Sequence, residues 1–250
     1  MATVRRPSSA TTASAGACGK AGWPRSSKRS SRSDSHTFVA SVLWERPRRP
    51  HAISGSASLL GRSIPAMGAQ ERAQAVSAVT TDRVSSPGLL ARDVIALGRQ
   101  PFTDWRGRLT AEDRGIVRGA TQLAGAEALA PKPFDSLSDG ERQRVMTARA
   151  LAQTSRIMVL DEITAFLDLP GRVEIMALLR RHAEDTGKIV LLSSHDLELS
   201  LEPAEQVWIV HGGELSFGDA DQLMAGGVIE AAFNTEDVSF DPSRRRFVMK

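Results

Sequence analysis

The sequence predicts an α/β fold built on a parallel sheet, and three stretches carry that expectation. Ile157-Met158-Val159-Leu160 is a run of four large apolar residues that ends in Asp161-Glu162. Lys188-Ile189-Val190-Leu191-Leu192 is a second short run, ending in Ser193-Ser194-His195-Asp196. Such continuous runs suit strands buried on both faces of a parallel sheet. Between them, residues 171–185 carry Val173, Met176 and Leu179 at helical spacing, with Gly187 as the expected stop. Strand, helix and strand make one crossover unit, right-handed in nearly all proteins. That topology sets the acid pair and the histidine on one rim of the sheet, where open α/β sheets bind their ligands.

Composition narrows the classes. A chain of 250 residues has room for one large domain or two small ones, and 41% hydrophobic residues can build a core. The single cysteine, Cys18, excludes an intramolecular disulfide and suits a reducing compartment. No apolar run approaches the roughly 20 residues that span a bilayer, so a membrane role must run through a partner. The basic balance is local. Residues 1–50 hold ten Lys and Arg against Asp34 and Glu45, a net of +8, whereas the whole chain is +3 and residues 51–250 therefore about −5. The charge belongs to the leader and points to no nucleic acid.

A third motif precedes the strands. Leu137-Ser138-Asp139-Gly140-Glu141 opens a helix. Ser138 and Glu141 form an S-x-x-E capping box, which any helix can use. A helix N-terminus with a nearby glycine also binds phosphate through free N–H groups. Between the strands, Phe166-Leu167-Asp168 forms a fourth short motif.

In this order the four motifs resemble the signature, Walker B, D-loop and switch histidine of ABC-type ATPases, the nucleotide-binding subunits of ATP-driven transporters. The resemblance runs from near Arg49 to the end, and it implies a P-loop NTPase fold with a helical subdomain. It implies that Asp161 holds Mg²⁺, that Glu162 is the general base for water, and that His195 senses the γ-phosphate. Ser138, Asp139, Gly140 and Glu141 would close over ATP held by a second copy in a head-to-tail dimer, and Asp168 would reach across that dimer. Two departures stand in the signature: Asp139 replaces a usual glycine and Glu141 a usual glutamine. Ile163 replaces the proline common after the catalytic acid.

Taken from the N-terminus, residues 1–48 read as a disordered, serine- and arginine-rich leader unlike the family. The phosphate-binding loop of the family, G-x-x-x-x-G-K-[ST], is expected before residue 50 and has no counterpart. Gly19-Lys20 comes nearest, but Ser14 stands at the first glycine, Ala21 at the hydroxyl, and no apolar strand precedes it. The fold is therefore expected to be incomplete, with a central strand and its covering helix missing or replaced. Residues 49–84 resemble the remaining N-terminal core: a strand over 56–62, a short helix over 70–75, and a strand from Val76 to Val84 leading to the Q-loop, whose glutamine aligns with Thr81 as a weak metal-linked position. Residues 85–152 form the helical subdomain and 153–250 the second half of the core.

Within the subdomain, Leu89 to Phe102 and the following Trp105 resemble importers of iron-siderophore, haem and cobalamin chelates. There the resemblance places permease docking, with Phe102 and Trp105 as the exposed aromatics. After His195, a strand–turn–strand over 207–215 and a helix capped by Asp219 or Asp221 complete the pattern. The resemblance thus implies an ATP- and Mg²⁺-dependent importer subunit on the cytoplasmic face of the plasma membrane. Its partners would be a permease, a second copy of itself and, indirectly, a substrate-binding protein. The alternative is a degenerate subunit that docks on a permease without hydrolysing ATP.

Overall fold

Seven residues of the expected leader turn out to lie at the middle of the main sheet. The computed structural model describes residues 37–43, 58–59, 61–80 and 86–250. Strand β1 (Thr37–Leu43) pairs in parallel with the second apolar strand on one side and with a later strand on the other. The expectation of a central strand missing from the sheet is corrected there. Seven residues with Phe38, Val39, Val42 and Leu43 satisfy strand pairing although the composition around them is polar. Composition averaged over 48 residues hid them.

Residues 58–67 belong to a separate small unit. It holds a hairpin of β2 (Ser58–Leu59) and β3 (Arg62–Ser63), turned at Gly61 with φ +79°, and a 3₁₀ turn at Ile64–Ala66. A single strand over 56–62 was expected. Gly61 in the left-handed region reverses the chain instead.

The larger unit takes in β1 and residues 68–250. It continues with α1 (Ala69–Ala75), β4 (Val76–Val79), α2 (Ala91–Ala96), a 3₁₀ turn (Leu97–Phe102), α3 (Ala111–Leu123) and α4 (Asp139–Ala152). Next come β5 (Ile157–Asp161), α5 (Leu169–Thr186), β6 (Ile189–Ser194), α6 (Leu197–Leu201), β7 (Gln206–His211) and β8 (Glu214–Gly218). Helices α7 (Ala220–Ala225) and α8 (Val228–Phe233) and the hairpin β9 (Val238–Asp241) to β10 (Arg246–Met249) close the chain.

The sheet order is β4-β5-β6-β1-β7-β8, parallel except for β7–β8. Strands β5 and β6 are adjacent, as the crossover unit requires. Leu160, Val190 and Leu192 are fully buried and anchor the main core with Ile95, Phe134, Val145 and Leu179. Helix α5 starts at Asp168, whose Oδ1 accepts the Gly171 N–H at 3.1 Å, and stops at Gly187 with φ +67°. Its buried face is Ile175, Met176, Leu179 and Ala183; Val173, expected on that face, is exposed. The helix begins two residues earlier than its apolar pattern suggested, and Val173 falls on its outer side. A second core gathers α6, β7, α7, α8 and β9 around Leu201, Ile209, Ile229 and Phe240. Phe247 of β10 packs edge-on to Phe240 and Phe233, with ring centroids 5.3 and 6.0 Å away.

Candidate functional site

The parallel register of β5 and β6 pairs Asp161 with Ser193 at their C-terminal ends. One residue further on, both chains leave the sheet at the same rim. The Ser193 hydroxyl donates to Asp161 Oδ1 at 2.5 Å and accepts the Glu162 N–H at 3.0 Å. Glu162 has φ +49°, a left-handed conformation unusual for a residue with a Cβ. That twist turns the Glu162 carboxylate toward the next loop. His195 Nε2–H donates to Glu162 Oε1 at 2.7 Å. Glu162 is largely buried and His195 half exposed, so the pair faces solvent through the imidazole. A strained backbone held by the surrounding structure is a mark of functional positions. Beside the pair opens a cavity of about 390 Å³ lined by Glu162, Thr164, Arg172, His195, Glu198 and Phe247.

The signature turn lies at the start of α4. Ser138 Oγ accepts the Glu141 N–H at 3.3 Å, and Glu141 Oε2 accepts the Ser138 N–H at 2.9 Å, which completes the capping box. Lys132 Nζ donates to Glu141 Oε1 at 2.9 Å. That lysine, then the Ser138 N–H, holds the Glu141 carboxyl down at about 2. The Glu141 charge is therefore engaged within its own chain. Ser138 is exposed, while Asp139 and Gly140 are half-buried. Gly140 packs on the loop after β5: a Cβ there would lie 3.3 Å from the Phe166 carbonyl oxygen. Asp168, expected to reach across a dimer, spends its carboxylate on capping α5. Phe166 and Leu169 beside it are exposed.

The 3₁₀ turn after α2 and the loop that follows it present the two aromatics. Phe102 is 38% exposed and Trp105 is 86% exposed. Arg106 stacks on Trp105 with its guanidinium carbon 4.5 Å from the ring centre. Gln70 and Gln74 of α1 both donate to the Pro101 carbonyl, at 3.1 and 2.8 Å. Thr81 lies outside the described residues.

Four residues escaped the sequence reading. Ser193 reads as one of two adjacent serines, and only strand register selects it. Arg99, 7% exposed, pairs with Asp113, 6% exposed, at 2.8 Å; nothing in the sequence joins the two. Arg172 lines the cavity and approaches Asp196 at 3.5 Å. Helical spacing from Asp168 could have placed it near the rim.

Among the described residues no helix is long and apolar enough to cross a membrane. Residues 43–165 match the family model described as ABC transporter. An ABC transporter ATP-binding protein of Methanocaldococcus jannaschii, MJ0873, is 32% identical over 197 residues, covering 78% of this chain and 68% of that one. The iron(3+)-hydroxamate import ATP-binding protein FhuC of Bacillus subtilis is 31% identical over 205 residues, covering 81% and 76%. Among solved structures, the ATP-binding cassette MJ0796 bound to ADP and Pi matches with a TM-score of 0.62 at 22% identity, over 74% of this chain and 86% of that one. An inward-facing metal-chelate type ABC transporter matches with a TM-score of 0.59 at 23% identity, over 64% of each chain. These structures share the fold, and the two sequence relatives share the family. The strand order, the acid–imidazole rim and these relatives lead to one conclusion: the chain belongs to the ABC transporter ATP-binding protein family and carries its P-loop NTPase fold.

Proposed function

We propose that this chain is the ATP-hydrolysing subunit of an importer for metal-chelate cargo, of the iron-siderophore or cobalamin type. The observation that carries the reading is the 2.7 Å contact between Glu162 and His195 on a shared rim with Asp161. A carboxylate already facing an imidazole can take a proton from water, while the imidazole is free to turn to a phosphate oxygen. Names of relatives support the cargo class: FhuC above, and the cobalamin import ATP-binding protein BtuD of Halobacterium salinarum, 30% identical over 192 residues.

The residues fit Mg²⁺–ATP in one respect. Among the described residues no three His, Cys, Asp or Glu cluster to hold a metal. Asp161, held at the end of β5 by the Ser193 hydroxyl, suits Mg²⁺, which keeps water and phosphate oxygens as most of its ligands. The ion would neutralise phosphate charge; Ser193 fixes Asp161, and Glu162 and His195 handle the proton. Thr81 is the remaining candidate toward the metal. Ser138 through its exposed hydroxyl, and Gly140 through its backbone N–H at the start of α4, clamp the nucleotide of a second copy. Phe102 and Trp105 dock the permease, and the assembly stands on the cytoplasmic face of the membrane.

One observation favours a second reading. The sequence holds no G-x-x-x-x-G-K-[ST], and without it the backbone cradle and lysine that neutralise the β- and γ-phosphates have no counterpart. A subunit of that kind docks on a permease without turnover. ATPase assay and nucleotide titration of the full chain with its permease separate the two. Hydrolysis that disappears in Glu162→Gln establishes the enzyme; docking with neither binding nor hydrolysis establishes the scaffold.

A further inference from the structure

The buried guanidinium of Arg99 lies where three elements meet. Its Nε donates to Asp113 Oδ1 of α3 at 2.8 Å. One Nη1 donates to the Ala152 carbonyl at the end of α4, at 3.1 Å, and to Thr154 Oγ1 in the following loop, at 2.8 Å. The guanidinium carbon lies over the Phe102 ring, 4.1 Å from its centre. The preceding residue is fitted as tightly. A Cβ on Gly98 would lie 2.3 Å from the Arg149 carbonyl oxygen of α4. Thr154 itself has φ +51°, so the loop is held in a conformation it would not choose alone.

What this junction connects gives it meaning. Backward from Ala152, α4 runs 14 residues, about 20 Å, to the Ser138 turn. Forward from Thr154, the chain enters β5, which ends at Asp161 and Glu162. The signature turn and the acid pair are therefore the two far ends of one α4–β5 segment, and Arg99 grips its middle. A buried arginine with four partners is costly to hold unless every one of its contacts is kept. Such a group transmits displacement rather than absorbing it, because packed interiors shift between discrete arrangements.

We infer that Arg99 is a positioning residue that locks the Phe102 turn to the α4–β5 junction, so that movement of the turn is passed to the Ser138 turn and the Asp161–Glu162 rim together. The direction of the signal rests on the reading of Phe102 and Trp105 as a docking surface; the link itself does not. Amide hydrogen exchange on the full chain tests the link without permease or nucleotide. In Arg99→Met, exchange is expected to rise about tenfold at residues 97–103 and also at 138–142 and 161–163, with residues 206–211 and 228–233 of the second core unchanged. Arg99→Lys keeps the charge but not the fork, and should restore the local segment more than the two distant ones. A rise confined to 97–103 and 152–156 overturns the proposal, as does a uniform rise. If Arg99→Met does not fold, Arg99→Lys and Asp113→Asn carry the same comparison. A link that holds while Trp105→Ala leaves permease docking intact refutes the docking surface and not the link.

Discussion

The Ser193 hydroxyl joins both acids of the rim, donating to Asp161 at 2.5 Å while taking the Glu162 N–H at 3.0 Å. One oxygen thus sets the Asp161 carboxylate and the Glu162 backbone in a single arrangement, from the neighbouring strand. A hydrogen bond to a charged group contributes about 1.5–3 kcal/mol, less where water can substitute. Ser193→Ala should lower stability by about 1–2 kcal/mol in urea titration. Any ATPase activity should fall much further, because the Glu162 N–H loses the side-chain acceptor that helps hold its left-handed backbone. Activity unchanged in Ser193→Ala would remove Ser193 from the site.

Acid should loosen the helical subdomain first. Hydrogen bonds from Thr110, side chain before backbone, and then from Arg99 hold the Asp113 carboxyl at about 2 against an ordinary 3.8. A carboxyl depressed in the folded state adds stability above its unfolded value and loses it as pH falls through the folded one. The contribution is therefore complete above about pH 4 and gone near pH 2. Urea midpoints of the wild type and Asp113→Asn should differ at pH 6 and converge toward pH 2. Parallel curves would mean that the carboxylate charge is not what matters there.

Gly98 has no room for a methyl group. The obstructing atom is a backbone carbonyl of α4, which cannot rotate aside. Gly98→Ala should cost about 1–3 kcal/mol through overpacking, seen as a lower melting temperature. At exposed Gly119 of α3, where a Cβ meets nothing within 4 Å, the same change should stabilise by up to about 1 kcal/mol. Equal effects at both sites would show that the contact between the Leu97–Phe102 turn and α4 is loose enough to admit a methyl group.

Trp105 at 86% exposure contributes little to folding. Trp105→Ala should leave the melting temperature unchanged and weaken retention on permease-bearing vesicles by about 2 kcal/mol, near thirtyfold. Retention at wild-type strength would move the docking surface elsewhere.

Much of the acid–imidazole rim was legible in the residues because its information is local. Apolar runs of strand length ending in Asp161-Glu162 and His195 state which atoms reach an edge, and parallel β5–β6 pairing delivers them to the same one. The capping box at Ser138 and the stop at Gly187 are equally short-ranged. Other features depend on partners remote in the chain. Strand β1 takes its place only through register with β6 and β7, about 150 residues away, so its polar surroundings concealed it. Arg99 and Asp113 look like two surface charges until α2, α3 and α4 close over them, and Ser193 is set apart from Ser194 only by which side of β6 faces Asp161. Backbone propensity and hydrophobic period act over a few residues and can be read from them. Burial, ladder register and the pairing of charges arise from closure of the whole chain, and there the packed fold had the last word.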